Sequence, residues 1–71
     1  MVIYKVRAKN FTSLVETWGG PAAMARALDC SPSAVSQCTG KRPRRDIGEK
    51  RARGIETKLS LDAGWLDIKR S

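Results

Sequence analysis

The chain has 71 residues, with 14 Lys and Arg against 7 Asp and Glu, a formal charge of +7 and no histidine. That length allows one small domain, 1–71, burying roughly 60% of the surface its unfolded form exposes, and it excludes a catalytic cleft walled by two domains. Residues 31–54 hold most of the excess charge, Lys41, Arg42, Arg44, Arg45, Lys50, Arg51 and Arg53 against Asp46 and Glu49. Such a patch is either the footprint of a polyanionic partner or a solvated face that keeps a small protein soluble.

Gly and Pro punctuate the chain. Before Gly19-Gly20-Pro21, the residues Phe11, Leu14, Val15 and Trp18 are spaced i, i+3, i+4, i+7, which predicts a helix over about 5–18 with Val6 near its apolar stripe. Val2-Ile3-Tyr4 is left open between a short strand and an unstructured arm. Pro21 suits the first position of a second helix, 21–28, in which Met24, Ala25 and Leu28 share a face. Asp29 and Cys30 form the turn, and Asp tolerates the left-handed conformation such a turn needs. Ser31 as N-cap and Pro32 as first residue open a third helix, 32–39, closed by Gly40. Val35 and Cys38 point to its inner side; Ser33, Ser36 and Gln37 point outward.

A basic loop, Lys41 to Arg45, follows. Asp46 and Glu49 have the spacing of a capping box for a fourth helix, 47–59, with Ile47, Ala52, Ile55 and Leu59 on its buried side. Gly54 within it costs about 1 kcal/mol relative to Ala. Asp62 is placed to cap a short fifth helix, 63–67, carrying Trp65 and Leu66. The expected fold class is all-α, with four to five helices.

Two short helices joined by a three-residue turn predict a helix-turn-helix. Met24, Leu28, Cys30, Val35 and Cys38 are apolar where that geometry needs burial, and Ala25 is small where the helices cross. Asp29, where Gly is preferred, is the departure. The outward face of the third helix then reads as a surface for base edges: Gln pairs with adenine in two hydrogen bonds, and Ser donates or accepts. Lys41, Arg42, Arg44 and Arg45 are placed to contact phosphates, one Arg alternatively entering a narrow minor groove. The start of the second helix, near Gly20 to Ala22, offers backbone amides to a further phosphate.

These residues resemble the Cro/CI-type, lambda-repressor-like helix-turn-helix regulators of phages and bacteria. The resemblance covers about residues 5–67. It rests on Pro21–Gly40, on Gly40-Lys41-Arg42-Pro43-Arg44, and most specifically on Ile47-Gly48-Glu49-Lys50, Ala52-Arg53, Ile55-Glu56 and Gly64-Trp65-Leu66-Asp67. It implies a five-helix fold and a two-fold dimer on a palindromic operator. By position, base contacts fall on Pro32, Ser33 and Gln37, with Ser36 adjacent. Cys38 stands where many relatives have Trp or another large apolar residue, Arg51 where they often have Leu, and Pro32 where they often have a base-contacting Gln.

Leu61, Trp65, Leu66 and Ile68 supply either a packed C-terminal turn, with Trp65 folded back onto the protein, or a small dimer seam. A seam of that size predicts a weak homodimer formed mainly on DNA. The lack of a second domain favours a Cro-like or excisionase-like regulator over a full repressor, a fragment of a longer repressor being the other reading left open. An antitoxin or anti-regulator that uses the fold against a protein partner is the alternative. Ser33, Ser36 and Gln37 argue against it, since a protein-binding face is richer in apolar anchors. RNA would call for exposed aromatics. An enzyme is not expected: Asp46 and Glu49 read as caps, Glu56 as a helix-surface partner for Lys or Arg, and no base stands beside the thiols. Cys30 and Cys38 alone cannot form a structural zinc site, and without a secretory signal they read as reduced, buried thiols. No cofactor, metal, small-molecule substrate or membrane is expected, and the setting is the cytoplasm of a bacterial or phage-infected cell, on the nucleoid.

Overall fold

The computed structural model describes residues 2–40 and 45–69. Four α-helices follow in order: α1 Val2–Thr17, α2 Pro21–Leu28, α3 Pro32–Gln37 and α4 Glu49–Lys58, then a 3-10 turn, Trp65–Asp67. The fold is all-α, and the described residues contain no strand. Val2-Ile3-Tyr4 is neither strand nor arm but the first turn of α1. No helix among the described residues is long and apolar enough to cross a membrane.

One core joins every element. Phe11, Leu14 and Val15 of α1 meet Met24, Ala25 and Leu28 of α2, Val35 and Cys38 around α3, and Ala52, Ile55 and Leu59 around α4, with Ile47 and Leu66 completing it. Each large apolar side chain buried this way contributes roughly 1.5–3 kcal/mol.

Trp18 departs from its expected place in the stripe. It is 44% exposed: its amide still makes the helical bond to the Leu14 carbonyl at 2.9 Å, but it is the last residue in helical phase and lies past the edge of the core. The stop is a Schellman motif: the Gly20 amide bonds the Val15 carbonyl at 2.8 Å and the Gly19 amide bonds Glu16 at 3.3 Å. The same pair of bonds ends α2 at Asp29 and Cys30, and ends α4 at Ser60 and Leu61. The left-handed residue is Gly19 at φ 100°, Asp29 at 56° and Ser60 at 59°. Gly20, which caps α2, has φ 106° and ψ 178°, a region open essentially to glycine alone.

The start of α4 differs from the capping box. Gly48 is the N-cap, in an extended conformation and without a side-chain bond, and Glu49 is the first helical residue. The reason lies one residue upstream. Ile47 is wholly buried ahead of the helix, and its carbonyl accepts Nη1 of Arg7 at 2.9 Å. Inserting Ile47 keeps residues 46–48 out of the helix, so Asp46 is left exposed.

The C-terminal turn is fixed by polar side chains rather than by Asp62. Glu56, expected at the surface, is 1% exposed. Its carboxylate accepts the Gly64 amide at 2.9 Å and the Leu66 amide at 2.8 Å. Asn10 reaches from α1 and donates to the carbonyls of Leu66 and Ile68, both at 2.8 Å. Arg7 forks onto Asp67, Nε to Oδ1 at 2.6 Å and Nη2 to Oδ2 at 3.3 Å. Arg53 bridges the two acids, its Nη2 lying 3.0 Å from Asp67 Oδ1 and 3.2 Å from Glu56 Oε2. Arg7 and Asn10 stand on the α1 stripe with Phe11 and Leu14, at i, i+3, i+4 and i+7. That placement is the sequence signal for their burial.

Candidate nucleic-acid interface

The candidate interface is the unit formed by α2, the turn and α3. Ser31 caps α3 by accepting the Ala34 amide at 3.2 Å, and Pro32 begins the helix, so α3 starts at a fixed point after the turn. Val35 and Cys38 are buried at 1% exposure each and hold α3 against α2. Met24, Ala25 and Leu28 are buried beneath it. Cys30, expected to be buried, is half-buried: it follows the left-handed Asp29 at the rim of the core. Both cysteines are free thiols.

This packing leaves Pro32, Ser33 and Ser36 exposed on the other side of α3. Gln37 is half-buried rather than fully outward. It ends the helix, and its carbonyl accepts the backbone N–H of Arg45 at 3.0 Å. That bond returns the chain to α3 after the basic loop and places exposed Arg45 at its C-terminal end. Lys41, Arg42 and Arg44 lie outside the described residues. At the loop's other side, the Gly40 amide donates to Thr12 Oγ1 at 3.2 Å, tying the exit of α3 to α1. Gly40 itself lies two residues beyond the C-cap, Cys38, so α3 is shorter than expected.

The face of α3 is thus polar and uncharged, with a cation at its end. It can donate and accept hydrogen bonds toward a surface in front of it. Arg7 and Arg53 are not part of this face, being engaged with Asp67 and Glu56.

The chain is 34% identical over 65 residues to the prophage repressor CohE of Escherichia coli (strain K12). The aligned residues are 92% of this chain and 29% of that protein. The chain is thus similar to part of a prophage repressor. The all-α architecture, with α2, a tight turn and α3 packed as one unit, fits a small helix-turn-helix repressor domain. No known family model matches the chain, and no solved structure matches it. The chain spans less than a third of the length of this curated relative.

The four residues expected to form a seam separate in the structure. Leu66 is wholly buried in the core, so it cannot meet a second molecule. Leu61 and Trp65 are half-buried against that core. Ile68 is 58% exposed. The residues that sequence reasoning missed, Arg7, Asn10 and Asp67 together with the buried role of Glu56, all hold this turn and not the α3 face.

Proposed function

We propose that the chain is a sequence-specific binder of double-stranded DNA, a Cro-like transcriptional repressor that reads a palindromic operator with α3 in the major groove. One observation carries the reading: the exposed side of α3 presents hydrogen-bonding, uncharged side chains with Arg45 at its end, on a chain related to a prophage repressor. Ser33, Ser36 and Gln37 read base edges, and Pro32 packs against them. Arg45, with Lys41, Arg42 and Arg44, contacts phosphates and sets register without sequence choice. The protein works in the cytoplasm on the nucleoid and catalyses nothing.

Two copies bind the two half-sites. Of the four residues expected to form a seam, Leu66 is buried and Leu61 and Trp65 are half-buried, so the seam they offer is small and the pair forms mainly on DNA. Selection of bound duplexes from a random pool at near-physiological salt tests this. The expected result is a palindrome with half-site centres about one helical turn apart. Recovery of no motif, with binding that disappears as salt rises, would leave a generic basic surface and move the function to a protein partner.

A further inference from the structure

Away from the α3 face, α4 and the turn before α3 leave an open cleft of about 200 Å³. Its floor is the edge of the core, Phe11, Leu28, Val35 and Ile55. Cys30 forms one wall, and the opposite wall is α4, where Arg51, Gly54 and Lys58 stand about one turn apart. None of the described lining residues is acidic. Arg51 is exposed and has no carboxylate partner among the described residues. Lys58 donates one N–H to the Leu28 carbonyl at 2.8 Å, and an ammonium has three to give.

Gly54 is unexplained by the fold. It lies inside α4, where glycine is less stable than alanine, yet its φ is not in the left-handed region. A Cβ at this position would meet no atom within 4 Å, so no close packing requires its absence. What a side chain there would do is narrow the cleft between the two cations.

We propose that this cleft binds a small aromatic monocarboxylate, a molecule of the size of benzoate, with its ring on the apolar floor and its carboxylate on Arg51 and Lys58. The volume suits the ring: an apolar cavity of about 150 Å³ is enough for benzene. The rim suits the anion, because a guanidinium presents a planar fork that matches a carboxylate in two parallel bonds. The glycine keeps the entrance open. An occupant touches Cys30 and Val35, which belong to the turn and to α3.

The test is a titration of the 15N-labelled chain with sodium benzoate, followed by backbone amide shifts, with benzamide as a neutral isostere. Saturable movement centred on Cys30, Gly54 and Ile55 is expected, with half-saturation on the order of millimolar for so small a ligand. Benzamide, and benzoate on Arg51→Gln, should each bind about tenfold more weakly. Gly54→Leu should abolish the movement while a cooperative thermal melt is kept. Arg51→Gln alters an exposed side chain only, so it decides the matter even if Gly54→Leu fails to fold. The readout needs no DNA, and so stands or falls apart from operator binding. Shifts that grow without saturating, that are equal for benzoate and benzamide, or that centre on Lys5 and Lys9 would overturn the proposal.

Discussion

Gln37 is the side chain of α3 with the most to lose by truncation. Its amide offers an acceptor and donors in a plane, the arrangement that matches adenine in the major groove, whereas Ser33 and Ser36 each offer one rotatable hydroxyl. Its backbone is anchored, since its carbonyl is held by the Arg45 amide at 3.0 Å, so the side chain leaves from a fixed point. Gln37→Ala should therefore relax preference at one base pair in each half-site and cost about 1–3 kcal/mol on the selected operator, with little change on random duplex. Competition binding with the two DNAs checks this, and equal losses on both would remove Gln37 from the base-reading set. Asp29 supplies a second case at the same scale. It holds the left-handed position that ends α2, at φ 56°, and it puts a carboxylate at the negative end of a helix. Asp29→Gly should raise stability by about 0.5–1 kcal/mol in a denaturant melt, because glycine adopts this conformation without a Cβ penalty.

The elements show why some of this was legible in the sequence and some was not. Pro21, Ser31 and Pro32 act locally, each setting a helix start through its own backbone or hydroxyl, and α2 and α3 begin where those residues place them. The apolar stripe of Phe11, Leu14 and Val15 likewise acts through periodicity alone. Trp18 has the same spacing and keeps the helical bond to Leu14, but the Schellman bonds of Gly19 and Gly20 end the helix directly after it, so its side chain is left at the rim of the core. The capping box failed for a tertiary reason: burying Ile47 and giving its carbonyl to Arg7 outweighs a local cap at Asp46. Glu56 was legible only in part. Its contact with Arg53 is a spacing of three, which sequence can see, but its bonds to Gly64 and Leu66 depend on how the turn folds back over α4. Because that carboxylate is buried and satisfies two backbone amides as well as a guanidinium, Glu56→Ala should cost about 3 kcal/mol or more. The loss should come with faster exchange of the Gly64 and Leu66 amides. A variant that melts like the parent would mean that the turn does not rest on Glu56. Exposed Ser60, which ends α4 at φ 59°, gives the opposite sign: Ser60→Gly should stabilise by about 1 kcal/mol.

At the scale of the molecule, the cations of the described residues divide into two populations with different work. One is internal. The hydrogen bond from Arg7 holds the Asp67 carboxyl below the ordinary carboxylate range, burial opposing it and Arg53 assisting, and the same bond raises Arg7. A carboxyl depressed on folding contributes stability that is present above its unfolded pKa, about 3.9, and is lost as pH falls through the folded value. Asp67→Asn should thus be less stable than the parent at neutral pH, with the gap closing in acid; a gap that stays constant down to pH 2 would show that the charge contributes nothing.

The other population faces outward, and its effect is read in salt. Each cation that meets a phosphate releases condensed counterions, so the logarithm of the binding constant falls with the logarithm of salt by about 0.9 per contact. Arg45 stands exposed at the end of α3, whereas Arg53 is spent on Glu56 and Asp67. Arg45→Ala should weaken binding to all duplexes alike and reduce the salt slope by about one. Arg53→Gln should lower the melting temperature and leave the slope alone, provided binding is measured well below its melt. Affinities at four or five salt concentrations for parent and both variants separate the two outcomes. If Arg45→Ala kept the parent slope, Arg45 would leave the phosphate-contacting set, and the electrostatic part of binding would have to come from elsewhere in the chain.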